Sequence, residues 1–424
     1  MRERKLTGGL LALFLAALVC LGGCGKKGDG GAVTPGADEN PPALTGIESP
    51  DMLTGTPTPE PTPTLTPTPT PDPYEGKKQK MLTGEWIDEE TTEHRPFAVM
   101  LNNIKAANPQ SGIGQADIVY EALTEAGITR FLALYSELEE GTPVAERLGS
   151  VRSARHYFVS FADEYDAIFV HFGETSYAKR KMDKLGIDHI TGMYGVGVSS
   201  FYRDKSIKAP HNAFASLEGI QNAVKRAGFR TEYEEGYEPH FLFYAEDTVP
   251  AGALREEAAH GEDAAGVPES TGAGETAQAG NNAAGGPAEG ALKSASRITL
   301  GFSDYMKPYF VYDGTDGVYR RYQFDGEHTD YNTGEQLAFK NVIIQFVKEW
   351  NIDKNGYQTM EIEKAEGTGW YYTNGTMQPV TWKKDESRRF MRYYDAEGEL
   401  LVINPGKTYI AVFPTHREKN ITVE

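Results

Sequence analysis

The sequence predicts an α+β protein, a layered α/β first domain followed by a mostly-β second domain. Three observations carry that expectation. Between residues 82 and 250, short apolar runs alternate with stretches that set aromatic residues at helical spacing. Between 296 and 424, runs of tyrosine, valine and isoleucine are broken by Asp313-Gly314, Asn355-Gly356, Asn374-Gly375 and Glu397-Gly398, a repeated hairpin signal. Residues 251–295 between them are rich in Ala, Gly and Glu and lack the large apolar side chains that would offset ordering entropy.

Residues 1–24 read as a targeting signal. Arg2, Arg4 and Lys5 precede an apolar run from Leu10 to Leu21, too short for a permanent span, which needs about 20 apolar residues. The run ends in Leu21-Gly22-Gly23-Cys24. Small residues before a cysteine admit a signal peptidase and leave a thiol for diacylglyceryl transfer, a pattern similar to the bacterial lipobox. The expectation is lipidation at Cys24 and a membrane partner reached through that lipid anchor, on the extracytoplasmic face. Cys20 and Cys24 are the only cysteines. With Cys20 cleaved off and Cys24 lipidated, disulfides, thiolate catalysis and cysteine-ligated zinc are excluded.

Residues 25–81 read as a stalk. Its Thr56–Pro73 core alternates threonine and proline, which suits extended polyproline II and neither helix nor ladder.

Within 82–250, Phe97–Leu101 and Tyr165–His171 are apolar runs of buried-strand length. Asp117–Leu123 and Ile128–Ser136, joined at Glu125-Ala126-Gly127, read as a hairpin. Ser153–Tyr165 sets Phe158, Phe161, Ala162 and Tyr165 on one helical face. Ser216 opens, and Gly228 closes, a further predicted helix. The segment 251–295 is expected to be a disordered insertion, and 296–424 the β-rich part.

These stretches carry a family resemblance. Arg95–Met100, Asn108–Glu121, Gly127–Phe131, Val151–Arg155, Tyr165–His171, Phe201–Asp204 and Ala209–Asn212 resemble the amino-terminal domain of the YerB-like lipoproteins of Gram-positive bacteria. Lys340–Gln345, Thr381–Lys383 and Asn404–Thr408 resemble the family's carboxy-terminal domain. The resemblance implies a layered α/β first domain and a cell-envelope location, and it brings no activity with it. The long insertion departs from the pattern and puts close contact between the halves near 250 and 296 in question.

Formal net charge is −19, with a pI near 5.0. Such acidity argues against nucleic acid or an anionic membrane surface as partner. No cofactor is implied. The histidines lack metal-ligand spacing, and no GxSxG elbow, P-loop or GxGxxG is present.

The segment Leu148-Gly-Ser-Val-Arg-Ser-Ala-Arg155 reads as a turn entering the helix. Arg152 and Arg155 then share a side of its first turn, where free backbone N–H groups already favour an anion. Arg203 is the third candidate for that anion. The opposing expectation is that the arginines pair internally with acids such as Glu121 or Glu125. His171 at a strand end, and Asp204, His211 and Asn212 on a loop, complete the candidate pocket with Glu121. The leading functional expectation is a non-enzymatic lipoprotein that binds an anionic cell-wall fragment or an envelope protein. Its rivals are an enzyme, a hydrolase or phosphotransferase acting on envelope polymers with His171 or His211 as acid–base group, and a structural scaffold of an envelope complex.

Overall fold

Among the described residues eleven strands, drawn from the segments before and after residue 250, form one sheet. The computed structural model describes residues 72–136, 146–249, 293–385 and 389–424. In chain order the strands are β1 (Phe97–Asn103), β2 (Ile118–Leu123), β3 (Thr129–Tyr135), β4 (Ile168–His171) and β5 (His189–Thr191), then β6 (Lys293–Ser294), β7 (Asn341–Val347), β8 (Ala365–Thr373), β9 (Thr376–Lys384), β10 (Arg392–Tyr394) and β11 (Thr408–Pro414). Their spatial order is β6-β9-β8-β7-β11-β2-β3-β1-β4-β5, with β10 also on β9. The halves meet where β11 lies parallel to β2, from Thr408 opposite Ile118 to Val412 opposite Ala122.

Both faces of this sheet are covered, so its central strands are apolar on both sides. On β1, Ala98 and Met100 face one cluster and Val99 and Leu101 the other; on β11, Ile410 and Val412 oppose Tyr409, Ala411 and Phe413 in the same way. One face is covered by helices α1 (His156–Glu164) and α2 (Ser176–Leu185), through Phe158, Phe161, Ala178 and Met182. The opposite face packs on helix α3 (Leu217–Ala227), through Ile220 and Ala223, and on a six-stranded sheet built around Arg297–Leu300, Tyr309–Asp313 and Val318–Gln323.

Local chemistry explains the ends of these elements. The Ser216 hydroxyl accepts from the Gly219 amide and caps α3, and Gly228 closes it at φ 68°. Asn374 and Gly375, at φ 49° and 72°, make the tight turn that joins β8 to β9. The α1 helix starts at His156, later than the periodicity predicts. Arg155 is its N-cap residue with extended backbone, and Arg152 lies in the strand-like segment before it.

Order begins earlier than the expected stalk boundary at 81. Lys77–Gln79 pairs with Trp86–Asp88, and Tyr74 stacks on Trp86 at 4.1 Å between ring centroids. The flanks of the insertion are also held tightly. The Thr248 amide donates to Asn404 Oδ1 at 2.8 Å, β6 pairs with β9, and Ala295 is fully buried. Cys24, the stalk to residue 71 and residues 250–292 lie outside the described residues.

Candidate anion-binding site

The parallel strands β1 and β4 stay paired as far as Val99 and Val170. Beyond that point the segment Ser150–Ala154 enters between them. Asn102 N donates to Ser150 O at 3.0 Å and Arg152 N to Met100 O at 2.9 Å, while Phe172 N donates to Arg152 O at 3.0 Å and Ala154 N to Gly173 O at 2.9 Å. Arg152 is therefore presented at the carboxyl ends of two parallel strands, the usual place for a ligand in sheets of this kind.

Four guanidiniums surround this segment. Arg130, from β3, is buried and donates through Nη1 to Ser153 O at 2.5 Å. Arg155 donates to the same carbonyl at 3.2 Å and grips Glu125 with two bonds of 2.6 Å, from Nε and Nη2. Arg152 is half-buried and donates through Nη1 to Pro210 O at 2.8 Å. Arg203 is exposed, stacks over the Phe172 ring at 4.7 Å, and donates to Asn212 Oδ1 at 2.7 Å. Among the described residues no carboxylate lies within ion-pair distance of Arg130, Arg152 or Arg203. The Nε groups of Arg130 and Arg152 are buried with no hydrogen-bond partner.

The electrostatics follow from that imbalance. Burial, then the charges of Arg155 and Arg152, push the Arg130 guanidinium down to about 9. Burial, then Arg155 and Arg203, lowers Arg152. Burial, then Arg152 and Arg130, lowers His211. Glu125 offsets Arg155 and, more weakly, Arg130, and its carboxyl is held below the usual range although burial acts the other way: the bonds and charge of Arg155 outweigh desolvation. An anion entering here would relieve repulsion on every side.

His211 is set up as a donor. The Asn102 amide nitrogen donates to its Nδ1 at 2.9 Å, so in the neutral ring Nε2 carries the proton. Asn212 accepts from Arg203 and donates to Asp204 O at 3.1 Å. Asp204 accepts from the Ser206 hydroxyl and amide and is engaged by Arg147 at 3.0 Å, and these bonds, Ser206 first, hold its carboxyl low.

Two sequence candidates are occupied elsewhere. His171 is fully buried; Nδ1 meets Gly173 O at 2.9 Å and Nε2 meets His189 Nδ1 at 3.1 Å. Burial pushes its ring down to about 3, which makes it a neutral structural residue. Glu121 is fully buried and pairs with Arg321 of the second half. Arg155 takes the internal pairing anticipated as the opposing expectation, with Glu125. Arg152 and Arg203 do not.

Arg130 and Asn102 are the site residues that sequence reasoning missed. Their signal was present: Arg130 is the lone charge in a run that reads as a buried strand, and Asn102 follows the apolar run Phe97–Leu101. They are direct neighbours on the β1–β3 ladder. Among the described residues no group of three or more His, Cys, Asp and Glu is arranged to hold a metal ion.

Residues 82–230 match the model described as "Protein of unknown function (DUF3048) N-terminal domain", and 298–410 match its C-terminal counterpart. The chain is 31% identical to "Putative lipoprotein YerB" of Bacillus subtilis (strain 168), over 80% of this chain and 87% of the relative. The crystal structure of the YerB protein from Bacillus subtilis superposes with a TM-score of 0.63 at 26% identity, covering 82% of this chain and 99% of that one. With both domain models in order and this relative matched along most of its length, the chain belongs to the YerB-like family of paired DUF3048 domains.

Proposed function

We propose that this protein is an envelope lipoprotein, anchored through Cys24 on the extracytoplasmic face, whose arginine cluster binds a phosphate- or carboxylate-bearing ligand. The anchor is supported by the lipobox and by the name of the Bacillus relative. Among the described residues no helix is long and apolar enough to cross a membrane. One observation carries the binding reading: Arg130 and Arg152 each bury an Nε–H with no partner, and among the described residues neither has a carboxylate within ion-pair distance, Glu125 being gripped by Arg155. A buried uncompensated charge is costly, and a bidentate oxyanion supplies the missing acceptors in the fork geometry that guanidinium prefers. The tautomer of His211 adds a donor, which favours binding over proton abstraction.

Thermal unfolding of the full-length chain with inorganic phosphate, pyrophosphate and citrate tests this. At a ligand concentration 100 times Kd the fold gains ~2.7 kcal/mol, read as a rise in Tm that shrinks with added salt. Arg152→Gln abolishes the rise. Absence of any shift with all three probes overturns the binding reading. The anchor is tested apart from it: Cys24→Ser moves the protein from the detergent phase to the aqueous phase, and unchanged partitioning refutes lipidation.

A further inference from the structure

We infer that the ligand of this site is a phosphorylated lipid, its headgroup held by Arg130, Arg152 and Arg203 and its chains by the apolar strip Met193–Val198. This rests on the anion-binding reading above and adds the class of molecule that carries the anion.

The strip is out of character for a surface. Met193 is 57% exposed, Tyr194 42%, Val196 39%, Val198 52% and Tyr202 42%. Single exposed apolar residues are ordinary, whereas a contiguous run marks a binding surface. Gly192, Gly195 and Gly197 interleave with these side chains, so the run has little else to present.

The strip also adjoins the arginines. Phe172 forms the shared wall, with the Arg203 guanidinium lying over its ring at 4.7 Å. Gly192 packs so closely on that ring that a Cβ there would stand 2.3 Å from it. At Gly173, the same construction reaches Ser153 Oγ at 2.9 Å and Met193 Cγ at 3.9 Å. The carbonyl of Ser153 is the one that Arg130 and Arg155 share. An apolar run therefore begins where the uncompensated cations end.

Charge selects the occupant. The chain carries −19 overall, yet residues 192–226 hold Arg203, Lys205, Lys208, Lys225 and Arg226 against Asp204 and Glu218, and the one carboxylate bonded to the strip among the described residues, Glu174, meets the Tyr194 hydroxyl. A free inorganic anion would leave the strip in water, and an uncharged acyl chain would leave the Nε groups of Arg130 and Arg152 without an acceptor. A lipid with an anionic phosphate headgroup satisfies both.

The test titrates the full-length chain, held in amphipol, with dihexanoyl phosphatidic acid and with glycerol 3-phosphate, the same headgroup without tails. The lipid binds at least about tenfold tighter, since several methylenes leave water. Val196→Ser with Val198→Ser removes that margin and leaves the glycerol 3-phosphate affinity unchanged; Arg152→Gln weakens both ligands. Equal affinity of the wild type for the two ligands overturns the lipid inference and leaves the anion site standing. Binding of neither removes both readings. Sedimentation of the same samples covers the remaining occupant: a wild-type dimer that the serine variants dissociate assigns the strip to a second copy of the chain, which also overturns the inference.

Discussion

Arg321 Nη2 and Glu121 Oε2 lie 2.7 Å apart with neither side chain exposed to solvent, joined across 200 residues of chain. Around them Glu121 also accepts from Asn103 at 2.9 Å, from Thr129 at 2.6 Å and from the Tyr409 hydroxyl. Arg321 bonds His328 in turn, whose Nε2 reaches Gln110 Oε1 at 2.6 Å, and Gln110 donates to Asn102 O at 2.8 Å. This buried relay runs from the second half of the chain to the strand that carries Asn102 of the anion site.

Breaking that pair from one side leaves a charge stranded in the interior. Glu121→Gln is expected to cost about 3–5 kcal/mol, measured as a lowered urea midpoint. A loss below about 1 kcal/mol would show that the two halves do not depend on this contact.

Arg155 and Arg152, three residues apart, should behave oppositely. Arg155→Ala strands Glu125 and lowers the stability of the free protein by about 1–3 kcal/mol. Arg152→Ala removes a repelled cation and leaves the free protein within about 0.5 kcal/mol of wild type, while ligand-induced stabilisation disappears. Equal destabilisation by the two variants would mean that Arg152 is an internal structural residue as well.

Mild acid should weaken the fold. Burial pushes His171 down to about 3 and, with Lys181 and Arg155 adding to burial, His156 down to about 4. His240 and His328 are also lowered, by burial first and then by neighbouring Arg392 and Arg321. Each folded value lies below that of the unfolded chain, so the unfolded state takes up protons first as pH falls. Stability present above about pH 6.5 is lost toward pH 4, at about 1.4 kcal/mol per pH unit for each proton taken up. Urea titrations at pH 7 and pH 5 measure the drop. Burial raises the Glu349 carboxyl to about 7, so that group protonates first in the folded state and works the other way over this range. The titrations are therefore made in Glu349→Gln, where equal midpoints would contradict the buried neutral histidines.

Replacing residues 250–292 by a short Gly/Ser link should alter stability by less than about 1 kcal/mol, because loop closure depends weakly on length. Extending the deletion through Ala295 should cost more, since β6 and the buried Ala295 go with it. A large loss from the shorter deletion would show that the segment packs on the fold.

Much of this protein was legible locally. The hairpins at Glu125–Gly127 and Asn374-Gly375, the capped helix from Ser216 to Gly228 and the α+β composition follow from periodicity, left-handed turn residues and caps, all of which act within a few positions of chain. The pairing of β11 with β2 was not legible, because an apolar strand buried on both faces carries no mark of its neighbour. Nor was the division among the arginines. Arg152 and Arg155 look alike in sequence, and only the fold brings Glu125 to one and leaves the other beside Arg130 without a counter-charge. Which cations remain uncompensated depends on distances between remote segments and on their burial, and the tertiary structure alone decides both.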